Sequence, residues 1–207
     1  MILKRSFPRG VQRAALGIFL ASLAGLLSLP LPARADDTSE TVLLVAKRTL
    51  RDPFYRSTVL VVRPIGQDQH VGVIINRPTR VTLGQLFPDH EPSRRVRDPV
   101  YLGGPTNASV IFALVHRQGS PGGKSIEFLP DLFMAFESKT VDAIIEKEPD
   151  HARFLAGLVA WRPGELRDEL RRGAWHVMDP DPELILREPD GLWEELVSRA
   201  EVRANGI

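Results

Sequence analysis

The apolar residues of this 207-residue chain come in short runs closed by proline, glycine or charge. That spacing limits the possible folds more than any other feature. Residues 41–46 read TVLLVA, 57–62 STVLVV and 71–75 VGVII. Unbroken, β-branched runs of this length predict strands covered on both faces. Gly66-Gln67-Asp68-Gln69 between the second and third runs predicts a hairpin. Three of the 17 prolines lie in the first 35 residues. The rest exceed the usual ~5% and sit mostly between apolar runs, as loop punctuation. Residues 109–116 (SVIFALVH) and 124–128 are further strand candidates, expected to pair across the loop 117–123.

Helices are expected later. A short helical turn fits 82–87. Ser138 or Thr140 is placed to cap a helix running to Lys147, with Asp142 in its first turn and Pro149 beyond its end. Residues 153–161 (RFLAGLVAW) suit a strand or a buried helix equally. Residues 163–172 give the clearest helical pattern, with Pro163 at the first helical position and Gly173 at the C-terminal cap. Leu166 and Leu170 face the core there, and Asp168 and Arg172 are spaced to pair. Residues 174–178 read as a strand. Asp190 is placed to start a last helix whose face is Trp193, Leu196, Val197 and Ala200. Strands mostly precede helices, so the expected class is α+β: a single domain over 41–203 with a curved, largely antiparallel mixed sheet packed by helices.

Charge divides the chain. The first 35 residues hold five of its 27 basic side chains and none of its 26 acids, so the remainder carries 22 against 26, a net of −4. Those 35 residues have the three parts of a secretory signal peptide: a positive stretch at 4–13, an uncharged apolar stretch at 14–29, and Ala33-Arg34-Ala35 after Pro30 and Pro32. Cleavage is expected between Ala35 and Asp36, with 36–40 as a polar linker and a periplasmic or secreted product. The alternative is a retained N-terminal anchor, for which the apolar run is short of the ~20 residues a spanning helix needs. The chain has no cysteine, which excludes disulfides, thiolate metal sites and a cysteine nucleophile.

Most familiar chemistry has no motif here. There is no G-x-S-x-G elbow, H-E-x-x-H helix or G-x-G-x-x-G turn. GSPGGKS at 119–125 resembles part of a phosphate-binding loop, but its spacing is wrong and strand-like residues follow it. It reads as a hairpin loop. The five histidines are too dispersed for a local chelate, so neither a metal nor a cofactor is expected. Glu165 and Glu169 read as a solvated helix face. Arg94, Arg95 and Arg97 are flanked by acids and read as a solvated loop. A nucleic-acid partner is not expected of an acidic domain, and membrane contact is expected only of the signal segment during export.

Two strand ends look better suited to binding. Asn76-Arg77-Pro78 ends an apolar run with an amide and a guanidinium able to grip a carboxylate or phosphate. Tyr101-Leu102-Gly103-Gly104-Pro105 places two glycines where a ligand or another backbone can approach closely, with N–H groups able to hold an anion. Asn76, Arg77, Gly103, Gly104 and His116, which ends an apolar run, are the candidate ligand-binding residues. Turn capping by Asn76 and a tight corner at the glycines are the structural alternatives.

These segments carry a family resemblance. In order, Asp52-Pro53-Phe54, Gly72-Val73-Ile74-Ile75-Asn76-Arg77-Pro78, Pro99-Val100-Tyr101-Leu102-Gly103-Gly104-Pro105, Leu114-Val115-His116, Trp161-Arg162-Pro163-Gly164-Glu165-Leu166 and Trp175 resemble the YqgE/AlgH family over about residues 41–197. Gly157-Leu158-Val159-Ala160-Trp161 departs from the family's Gly-Tyr-Ala-Gly-Trp, and Gly164-Glu165-Leu166 from its Gly-Gln-Leu. The resemblance implies the label of transcriptional regulator that members often carry, and a cytosolic location. The export signal points the other way. The resemblance supplies no catalytic residue. The favoured expectation is an exported binding or regulatory module without catalysis, taking a small anion or a protein partner. Its rivals are a cytosolic regulator and a small hydrolase using Ser or His116 chemistry assembled in space.

Overall fold

The computed structural model describes residues 40–204 and 206. The expected signal peptide, its cleavage point and most of the linker lie outside the described residues. In chain order the elements are β1 (Val42–Ala46), β2 (Val59–Gly66), β3 (Gln69–Ile74), β4 (Pro78–Thr82), α1 (Leu83–Leu86), α2 (Glu91–Arg95), β5 (Pro99–Leu102), β6 (Thr106–His116), β7 (Ser125–Leu129), β8 (Leu132–Ala135), α3 (Ser138–Lys147), a 3-10 turn (Pro149–His151), β9 (Ala152–Trp161), α4 (Glu165–Arg171), β10 (Trp175–Met178), α5 (Pro182–Ile185) and α6 (Leu192–Ala204). The strands form a curled, mixed sheet in the order β10-β1-β2-β3-β9-β6-β8-β7, with β4 on β5 and β5 on β9. Every pairing is antiparallel except β5 with β9. The expected α+β class and mixed sheet are what the chain adopts.

The unbroken apolar runs are strands with both faces covered. Successive side chains point to opposite faces. Leu43, Val45, Val59, Val61, Val71 and Val73 therefore share one face, closed by Leu192, Leu196 and Val197 of α6. Leu44, Ala46, Leu60, Val62 and Ile74 share the other, with Trp161, Trp175 and Leu166 of α4. Farther along the sheet, Val141, Ile144 and Ile145 of α3 cover Ala113, Val115, Phe133 and Phe154. The β2–β3 hairpin turns at Gln67 (φ 51°) and Asp68 (φ 58°), the pair of left-handed residues a two-residue hairpin turn demands. Thr82 caps α1 through a reciprocal exchange with Gln85.

β9 settles the open 153–161 segment as strand. One edge pairs with β6, while β3 and β5 share the other. Several local expectations fail. β6 does not pair with β7, because β8 lies between them and pairs with both. Pro163 does not open α4; Gly164, at φ 85°, makes the entry turn and the helix starts after it. Asp168 pairs with Arg171 and not with Arg172, because Arg172 is already the C-cap residue. α3 starts at Ser138 with no side-chain cap, which leaves Asp142 beyond its first turn. Arg94 and Arg95 close the short helix α2, where Glu91 pairs with Arg95 across one turn.

Candidate functional site

After β1 the chain leaves the sheet at Lys47 and returns at Val59, and the loop between is internally braced. The Asp52 carboxylate accepts hydrogen bonds from the Phe54 and Tyr55 N–H groups at 2.8 and 3.0 Å, an Asx turn. Arg56 N–H donates to the Asp52 carbonyl at 2.9 Å, and Thr58 Oγ1 donates to the Tyr55 carbonyl at 2.6 Å. Phe54 meets Tyr55 edge-on, and Tyr55 meets Trp175 likewise. Burial pushes the Tyr55 hydroxyl up to about 12, with Glu169 and Asp52 adding to the shift.

Asn76 and Arg77 are part of this bracing. The Asn76 amide oxygen accepts from Val59 N–H at 2.9 Å and its nitrogen donates to the Ser57 carbonyl at 3.0 Å. Arg77 Nη2 donates to the Arg56 carbonyl at 3.0 Å, and its guanidinium lies 5.6 Å from the Phe54 ring centroid. Burial lowers the Arg77 pKa, and the Arg56 charge lowers it further. Both side chains thus hold the 47–58 loop against the end of β3.

The loop opens a cleft of about 180 Å³ lined by Lys47, Arg48, Leu50, Arg51, Arg56, Ser57 and Trp193. Arg48 is engaged: its Nε lies 3.2 Å from Glu201, its Nη2 donates to Ser198 at 3.2 Å, and its guanidinium stands 5.4 Å over the Trp193 ring. Trp193 is fixed in turn by donation from Nε1 to the Ala46 carbonyl at 2.8 Å. Lys47, Arg51 and Arg56 make no ion pair among the described residues. The field of the cleft reaches β10, where burial and then the Lys47 charge lower the His176 pKa. Guanidinium and ammonium groups around a small polar cleft can hold a carboxylate or phosphate.

The two strand ends named from sequence do meet, through their backbones. Leu102 N–H donates to the Arg77 carbonyl at 2.8 Å, and Ile74 N–H to the Gly103 carbonyl at 2.9 Å. The close approach at the glycines is made by another backbone. A β-carbon on Gly103 would lie 2.3 Å from the Gly157 carbonyl oxygen, and one on Gly104 2.1 Å from the Leu158 carbonyl carbon. Gly103 N–H donates to the Ala156 carbonyl at 2.9 Å, so it is already satisfied. His116 stands apart from the others. It is the exposed last residue of the 11-residue β6, opposite Leu132, whereas the glycine corner lies where β6 begins beside Leu158. None of the five candidates lines the basic cleft. Its cations escaped the sequence reading because Lys47, Arg48, Arg51 and Arg56 are interrupted by Asp52. The signal was their position in the loop that follows a buried strand, a common place for binding residues.

Comparison with known proteins agrees with this architecture. The AlgH-like family model, DUF179, matches residues 43–205. A UPF0301 protein of Streptomyces coelicolor is 30% identical over 167 residues, spanning 76% of this chain and 84% of the relative. A UPF0301 protein of Vibrio cholerae is 28% identical over 167 residues, spanning 75% and 88%. The solution structure of AlgH from Pseudomonas aeruginosa superposes with a TM-score of 0.65 at 25% identity, covering 81% of this chain and 88% of that one. The crystal structure of DIP2367 from Corynebacterium diphtheriae shares the fold, with a TM-score of 0.64 at 20% identity over 79% and 88%. With the family model spanning nearly all of the described domain, the chain belongs to the AlgH-like family.

Proposed function

We propose that this chain is an exported, non-catalytic binding module that takes a small anion in the basic cleft of the 47–58 loop. One observation carries the reading: Lys47, Arg51 and Arg56 converge on that cleft without an ion pair among the described residues, in a domain whose net charge is −4. A cluster of like charges is self-repelling, and a bound anion relieves that repulsion. Asn76 and Arg77 serve the site by positioning its loop. The three-part N-terminal segment supports export, and an exported protein does not meet the chromosome, which disfavours a DNA-regulator role.

The hydrolase reading is favoured by one contact. His90 Nδ1 lies 2.7 Å from Ser93 Oγ, with Glu146 3.9 Å from His90 Nε2. Ser93, however, is fully buried, and a nucleophile must reach its substrate. The pair sits at the start of α2, where His90 is the N-cap residue and Ser93 the third helical one, so helix bracing accounts for it.

Inorganic phosphate is the first probe of the binding reading. It is expected to bind the purified chain and to bind an Arg51→Ala variant more weakly; equal affinity would overturn the assignment. N-terminal sequencing of the protein from fractionated cells tests export. A periplasmic product beginning at Asp36 is expected, and a full-length cytosolic product would overturn that part of the reading.

A further inference from the structure

A second cleft is built around a buried arginine that the anion site does not use. Arg153, on β9, is 7% exposed. Its Nη1 donates to the Ile75 and Ile185 carbonyls at 2.9 and 2.7 Å, and its Nη2 to the Arg187 carbonyl at 2.7 Å. Its guanidinium lies 4.3 Å from the ring centroid of the buried Tyr101 on β5. A guanidinium has five N–H donors. Three donations to carbonyls leave two of those donors for a ligand. No carboxylate reaches ion-pairing distance of Arg153 among them either. A buried cation held by carbonyl dipoles and a ring face, with no counter-charge, is costly to hold.

Arg153 and Tyr101 line a cleft of about 190 Å³ with Asp98, Asp150 and Glu188 around them, all three exposed. The volume is below the ~300 Å³ at which pockets for drug-sized ligands begin, so the occupant is small. The charges restrict it further. A simple anion drawn to Arg153 meets three carboxylates, and a simple cation drawn to the carboxylates meets Arg153. A molecule carrying both charges a few bonds apart satisfies each wall. Arg153 and the three carboxylates line the same small cleft, so one small ligand can span both signs.

We propose that this cleft binds a small zwitterion of the α-amino acid class, with its carboxylate on the remaining N–H groups of Arg153 and its ammonium among Asp98, Asp150 and Glu188. The assignment is independent of the phosphate site, which uses other residues and the opposite charge balance.

Isothermal titration of the purified chain with each of the twenty protein amino acids tests it. At least one is expected to bind. The matching deaminated acid and decarboxylated amine are each expected to bind at least about tenfold more weakly, as is the amino acid itself to an Asp98→Asn/Glu188→Gln variant. Arg153→Lys keeps the charge, loses the planar fork and is expected to abolish binding. Arg153 also ties elements together, so the exposed acidic pair carries the test if that variant does not fold. Absence of binding by every amino acid, equal affinity for the deaminated acid or the amine, or unchanged affinity in the Asp98/Glu188 variant overturns the proposal.

Discussion

The carbonyl oxygen of Gly104 lies 2.2 Å from the point a β-carbon on Gly157 would occupy, so β9 and the turn after β5 cross backbone against backbone. Gly157 also has φ 74°, a conformation other residues adopt at a cost. Neither glycine can gain a methyl group without moving main chain. Gly157→Ala is expected to destabilise the domain by about 2–4 kcal/mol, read from the urea midpoint. An unchanged midpoint would contradict this account of the crossing.

Asn76 satisfies both a loop carbonyl and the first N–H of β2. Asn76→Ala leaves these groups without their partner and is expected to cost about 1–2 kcal/mol. Because the amide holds the loop that forms the basic cleft, phosphate affinity is expected to fall as well. A stability loss with full phosphate affinity would separate the loop bracing from the site.

The chain has two tyrosines, Tyr55 and Tyr101. Burial raises the pKa of both, Tyr55 to about 12. A raised folded-state pKa means that the neutral phenol is favoured by folding. Its contribution is fully present below the unfolded value of 10 and is lost as pH climbs through the folded value. Alkaline absorbance titration is therefore expected to show both phenols ionising above 10 while the protein is folded, Tyr55 near 12, and stability is expected to fall above 10. Ionisation of both phenols at the normal midpoint in the folded state would contradict the packing of Tyr55 against Phe54 and Trp175.

Ser93 touches His90 but is fully buried. Serine-directed fluorophosphonate reagents are expected to leave it unmodified in the folded protein. Stoichiometric labelling at Ser93, detected by mass spectrometry, would revive the hydrolase reading.

Legibility in the sequence followed burial. β1, β2 and β3 are readable because both of their faces are covered, which forces unbroken apolar runs; the same cover on β9 leaves its run equally suited to a buried helix. β4 (Pro78–Thr82) is mostly exposed and has no such signature. β8 has four buried residues, LFMA, too short to separate from the loop after Pro130, and missing it led to the wrong partner for β7. The strand ends at Asn76 and Gly103 were located correctly. What those groups face was not readable, because Asn76 is turned toward Ser57 and Val59 earlier in the chain and Gly103 toward Gly157 far later in it. Arg153 carries no local pattern at all; its carbonyl partners are Ile75, just past β3, Ile185 at the end of α5, and Arg187 beyond it.

Phosphate titration of the wild type against an Arg51→Ala/Arg56→Ala variant, at low and high sodium chloride, shows whether the 47–58 cleft is an anion site. The variant changes two exposed side chains and is expected to fold normally. The wild type is expected to bind saturably and more weakly with salt, and the variant at least about tenfold more weakly, since each charge-assisted contact contributes roughly 1.5–3 kcal/mol. Absence of binding by the wild type, or equal affinity in the two proteins, would contradict the anion-site assignment.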